Sequence, residues 1–109
     1  MIPLIDLKAQ NLSLIKELEH AFHQVMSESS FCSGPHVESF EKEFSEFIGC
    51  SEAIAVNSGT SALHLAMLAH GIGPGDEVIA PAMTFIATVS AIKYTGAKPV
   101  LVDIEKETY

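Results

Sequence analysis

The chain has 109 residues, enough for one modest domain, and 48 % of them are apolar, which excludes a disordered chain. Six Lys and Arg stand against fourteen Asp and Glu, for a formal net charge of −8. That balance does not suit nucleic acid or an anionic membrane surface as a main partner. It leaves room for a phosphorylated ligand, because a helix N-terminus binds anions without Lys or Arg.

In chain order, residues 1–6 have neither a basic start nor a long apolar run, so they do not read as a secretory signal. Residues 3–7 read as a short extended arm. From about Asn11 to Ser29, Leu14, Ile15, Leu18, Phe22, Val25 and Met26 recur at helical spacing. This predicts an amphipathic helix with one buried stripe. Phe31-Cys32-Ser33-Gly34-Pro35 breaks it, and Pro35 suits the first turn of a second helix running to about Ile48. Val37, Phe40, Phe44, Phe47 and Ile48 line one face of that helix. Glu38, Glu41, Lys42, Glu43 and Glu46 line the other, as a solvated acidic face. Gly49 ends it.

The remainder alternates between strand and helix. Residues 53–56 (Ala-Ile-Ala-Val) predict a buried strand and residues 61–70 a buried helix. Residues 77–80 predict a second strand closed by Pro81, residues 84–94 a helix stopped by Gly96, and residues 99–102 a third strand. Such alternation means βαβ units, a mostly parallel sheet and an α/β fold. The short apolar runs at residues 78–80 and 100–102 predict strands buried on both faces. The organisation expected is a helical arm over residues 1–52 and a βαβαβ segment over residues 53–109.

The segment Asn57-Ser58-Gly59-Thr60-Ser61 carries the chemistry. It is a turn of small residues between a strand and a helix. Such a turn offers free backbone N–H groups, a bare Gly and hydroxyls at the positive end of a helix, where a phosphate binds. The alternative is that Ser58 or Thr60 is simply an N-cap. There is no Gly-Lys-Ser/Thr, so the turn is not a P-loop. Gly71-Ile72-Gly73-Pro74-Gly75 follows a helix, which is the wrong order for a dinucleotide fingerprint. Ligands of open parallel sheets bind beyond the carboxyl ends of the strands, here residues 57–60, residues 81–85 and Asp103. Phe85 could stack on a planar ligand there, although a Phe opening an apolar helix is usually core.

Cys32 and Cys50 read as two buried or partly buried thiols of a reduced compartment, with a bridge as the lesser alternative. His20 and His23 share a face without a third ligand nearby, so no metal site is expected. The longest charge-free run, residues 53–75, is broken by the polar turn and the Gly-Pro segment, so it is not a membrane span. A cytoplasmic protein is expected.

Taken together, Pro3-Leu4-Ile5-Asp6-Leu7, Gly34-Pro35, Phe40-Glu41, the Asn57 to Leu63 segment, Gly71-Ile72-Gly73-Pro74-Gly75-Asp76-Glu77-Val78, Thr84-Phe85-Ile86-Ala87-Thr88 and Gly96-Ala97-Lys98-Pro99 into Val102-Asp103-Ile104 resemble the N-terminal part of the DegT/StrS-type nucleotide-sugar aminotransferases. The resemblance runs through nearly the whole chain in the family's order. It implies part of the three-layer, mostly parallel sheet of the large domain of pyridoxal 5′-phosphate (PLP) enzymes of the aspartate-aminotransferase fold. It implies that Ser58, Gly59 and Thr60 hold the cofactor phosphate, that Phe85 stacks on the pyridine ring, and that the loop carrying Phe31 and Gly34 approaches the sugar. Phe31-Cys32 departs from the family's usual Tyr-Ile pair.

The implied reaction moves an amino group from an amino acid, glutamate being the expected donor, to a nucleotide-linked keto sugar. Such sugars serve cell-surface polysaccharide or secondary-metabolite synthesis. Two alternatives stay open: a sugar dehydratase of the same family, in which histidine replaces the catalytic lysine, or a truncated module without catalysis. In the family, the Schiff-base lysine and the aspartate facing the pyridine nitrogen lie beyond the position matching Tyr109. No catalytic residue is therefore expected among these 109, and the segment alone is expected to be inactive. A homodimer is expected of the full protein. The strands expected between residues 53–56 and residues 78–80 also come from later sequence in that fold, which suggests a fragment, a truncated product or one piece of a larger assembly.

Overall fold

The computed structural model describes residues 5–108. They form α1 (Leu7–Glu28), α2 (Pro35–Ile48), α3 (Gly59–Ala69), β1 (Glu77–Pro81), α4 (Ile86–Thr95) and β2 (Lys98–Val102). The chain divides into two compact units, Met1–Ile54 and Ala55–Tyr109.

In the first unit, α1 starts four residues earlier than its apolar pattern predicts. Asp6 is the cause: its Oδ1 accepts from the Ala9 N–H at 3.0 Å and caps the helix. Leu7 of the expected extended arm is thus helical, while Pro3 and Leu4 lie outside the described residues. At the other end Ser29 turns left-handed (φ 52°), and the N–H groups of Ser29 and Ser30 return to Met26 and Val25.

Gly34, at φ 93°, and Pro35 then open α2, and Gly49, at φ 77°, closes it on the Ser45 carbonyl, all as predicted. The stripes themselves are uncovered. Leu14, Ile15, Leu18, Phe22 and Met26 are exposed, as are Phe40, Phe44, Phe47 and Ile48. The expectation of a buried stripe on α1 is corrected: periodicity shows which face seeks cover, not that the described residues supply it. Phe40 and Phe44 stack on each other at 5.6 Å. Cys32 and Cys50 are both free and exposed, which corrects the buried-thiol reading and leaves no bridge between them.

In the second unit β1 and β2 pair in parallel from Glu77↔Lys98 to Pro81↔Val102. The turn into β1 is closed by Asp76, whose Oδ2 accepts from the Gly73 N–H at 2.8 Å. Helix α4 connects the strands, packs on both and lies along α3. Ala80, Ile92 and Ala97 form the core, with Met67, Ile72 and Val78 against it. Gly96 ends α4 at φ 87°, with Pro74 against its Cα.

Three expectations change here. Residues 53–56 do not form a strand, and the sheet among the described residues is β1 and β2 alone. The helix expected at residues 61–70 begins at Gly59 and has no fully buried residue. Neither strand is buried on both faces: in β1 Ala80 is buried while Ile79 is 71 % exposed, and no residue of β2 is fully buried.

Candidate functional site

The site is built at the start of α3 and the end of β1. Residue Ser58 is extended (φ −164°, ψ 157°) and caps α3: its Oγ accepts from the Ser61 N–H and donates to Ser61 Oγ, each at 3.1 Å. The cap reading therefore holds for Ser58, whose hydroxyl is engaged within its own turn. Gly59 and Thr60 follow as the first two helical residues. Among the described residues, neither of their N–H groups meets an acceptor, as expected for a first turn.

Gly59 is not required by the chain itself. Its φ is not in the left-handed region, and a Cβ built there would meet nothing within 4 Å. Gly34 and Gly96 differ: both have positive φ, and their added Cβ atoms would come within 3.2 Å of Ser30 Oγ and 2.9 Å of Pro74 Cγ. A bare α-carbon beside two free N–H groups leaves open space at the positive end of a helix.

Phe85 reaches the same place from β1. After Pro81 the chain stays tied to the strand ends, because the Ala82 N–H donates to the Val102 carbonyl at 2.8 Å. Phe85 is extended (φ −72°, ψ 144°) and N-caps α4, which starts at Ile86, not Thr84. The residue is 77 % exposed, so the core reading of Phe85 is set aside. Gly59, Thr60, Ala62, Leu63, Phe85, Ala87 and Thr88 line one cleft of about 620 Å³. None of them is charged, so any anion there must be held by N–H and O–H donors.

The sequence pointed to Gly59, Thr60 and Phe85, and the fold brings these three together. Thr88 was not singled out; the signal was its spacing of four from Thr84, which puts two hydroxyls on one side of a first turn. Phe31 and Gly34 belong to the other unit, in the loop between α1 and α2. Phe31 is exposed, and Gly34 is explained locally by its φ. Among the described residues one titration is shifted, and its group does not line the cleft. Lys98 is held above 10.5 by a 2.7 Å hydrogen bond to Glu77 and by its charge, at the first register pair of the sheet.

Comparison with known proteins adds the family. The model of the DegT/DnrJ/EryC1/StrS aminotransferase family matches residues 13–109. The UDP-2-acetamido-2-deoxy-3-oxo-D-glucuronate aminotransferase of Pseudomonas aeruginosa is 38 % identical over all 109 residues, which correspond to 30 % of that protein. A DegT DnrJ EryC1 StrS aminotransferase from Brucella abortus superposes with a TM-score of 0.90 at 38 % identity, over 100 % of this chain and 29 % of its own. NtdA of Bacillus subtilis, solved with bound cofactor PMP, gives 0.81 at 38 % identity over 88 % and 22 %. The chain thus spans about 30 % of the length of such curated relatives.

Proposed function

Because the chain belongs to the DegT/DnrJ/EryC1/StrS aminotransferase family, we propose that its second unit is the phosphate- and ring-binding part of a PLP-dependent sugar aminotransferase. The observation that carries this reading is the convergence of Gly59, Thr60 and Phe85 on one uncharged cleft. The donor set fits the cofactor. Two free N–H groups and the Thr60 hydroxyl suit a phosphate, and an exposed phenyl ring suits a flat heterocycle.

In this reading Gly59 and Thr60 hold the phosphate through their amides, with Ser58 fixing the turn that presents them. Phe85 restricts the tilt of the ring and excludes water from one face. When bound, the cofactor supplies the electron sink for moving an amino group between an amino acid, glutamate by family analogy, and a nucleotide-linked keto sugar. The residues of this chain supply grip and orientation. The loop with Phe31 and Gly34 approaches the sugar, and the protein works as a cytoplasmic homodimer. Relatives named as aminotransferases or transaminases of nucleotide-linked sugars support the substrate class.

The test is an equilibrium titration of the product of the complete reading frame with PLP, followed by visible absorbance and dialysis. Saturable binding is expected, weakened by Phe85→Leu. No saturable binding refutes the proposal.

A further inference from the structure

Helix α4 opens in an unusual way. Its N-cap is Phe85, which has no side-chain acceptor, and the helix has no side-chain cap hydrogen bond. The hydroxyls that flank the cap bond to each other instead: Thr84 Oγ1 and Thr88 Oγ1 are 3.0 Å apart. The Thr88 N–H is already satisfied by the Phe85 carbonyl at 3.1 Å. The hydroxyl pair therefore rescues no backbone donor and is not a cap in disguise. A threonine in the first turn also gains nothing in helix propensity over alanine.

What the pair does is bracket Phe85. The residue before the ring is tied to the residue three positions after it. The tie continues to the sheet: the Thr84 N–H donates to the Ala82 carbonyl at 3.2 Å, and the Ala82 N–H to the Val102 carbonyl at 2.8 Å. A continuous series of hydrogen bonds thus runs from the end of β2 to the first turn of α4, with Phe85 enclosed by its last link. Thr88 itself lines the cleft beside Gly59, Thr60 and Phe85. Phe85 is an exposed residue, so packing does little to fix its side chain and the backbone that carries it matters more.

We propose that the Thr84–Thr88 hydroxyl bridge is a positioning pair that sets the direction in which Phe85 enters the cleft, and so the stacking of a bound pyridine ring. This rests on the PLP-binding reading above and adds two residues to it. Neither threonine needs to touch the cofactor.

The experiment compares Thr88→Val, Thr88→Ser, Thr84→Val and the double Val variant in the product of the complete reading frame. The probe is PLP; the readouts are its dissociation constant and the visible circular dichroism of the bound ring, which reports its orientation. Loss of one net hydrogen bond predicts a dissociation constant raised about three- to tenfold in either single Val variant. The dichroic band should change with it, Thr88→Ser should restore both, and the double variant should be no worse than the singles. A Thr88→Val protein with unaltered affinity and dichroism overturns the bridge alone, as does additivity in the double variant. An unaltered protein that binds no PLP overturns the bridge together with the reading beneath it.

Discussion

Gly59→Ala separates a structural glycine from a functional one. The added methyl group meets no atom of the chain within 4 Å, and the backbone there is not left-handed. Alanine is the better residue in a helix, by roughly 0.5–1 kcal/mol at interior positions and less at the first turn. The substitution should therefore leave stability unchanged or raise it by up to about 0.5 kcal/mol, read as the urea midpoint. Its effect should fall on the ligand. The methyl group would stand beside the Gly59 and Thr60 amides, where the phosphate is proposed to sit. Breaking one charge-assisted hydrogen bond costs roughly 1.5–3 kcal/mol, which is about ten- to a hundredfold in PLP affinity. A variant as stable as the parent that binds PLP equally well would refute the reasoning, since the open space at Gly59 would then hold nothing.

The remaining predictions concern elements whose chemistry is visible in the fold. Gly96→Ala combines a left-handed backbone with a 2.9 Å approach to Pro74 Cγ and should cost about 2–4 kcal/mol by urea unfolding. Gly71→Ala, at φ 75° with nothing near, should cost only the conformational part, about 1–2 kcal/mol; equal losses in the two variants would mean that Pro74 simply moves aside. Ser58→Ala removes the cap of α3 and should lower stability by about 1 kcal/mol, with Ser58→Asp recovering most of it. Because the Lys98 ammonium is favoured in the folded state by Glu77, its contribution to stability is present below pH 10.5 and fades as pH climbs above that value. The pair is exposed, so this alkaline slope should be shallow, weaken in salt and vanish in Glu77→Gln, as followed by melting temperature against pH.

The parts of the fold legible in the sequence are those decided by local chemistry. Gly34-Pro35, Gly49 and Gly96 marked helix boundaries because a left-handed residue or a fixed φ allows few alternatives. The strands β1 and β2 followed from apolar runs bounded by Gly, Pro and Asp. What the sequence could not show was anything needing a partner. Residues 53–56 have the composition of a strand and Leu18 the spacing of a core position, yet composition names no neighbour. The early start of α1 was readable in principle, since Asp6 is a good N-cap, but the apolar period that set the expected boundary does not register caps.

The same division explains the site. Gly59 and Thr60 could be named as candidates because a small-residue turn opened a helix, a pattern that also serves as a plain N-cap, and for Ser58 the fold selects the cap. Phe85 was ambiguous, since only the extended backbone at its own position turns the ring out of the core. Thr88 was silent because its hydroxyl acts through Thr84, and a pair means something only once both ends have a place. Where folding alone accounts for a residue, as for Gly96 against Pro74, no ligand need be invoked. Gly59, Phe85 and Thr88 line one cleft, and the bond from Thr88 to Thr84 ends beside it. Their place after the carboxyl end of β1, where parallel sheets bind ligands, is the physical ground for the proposed site.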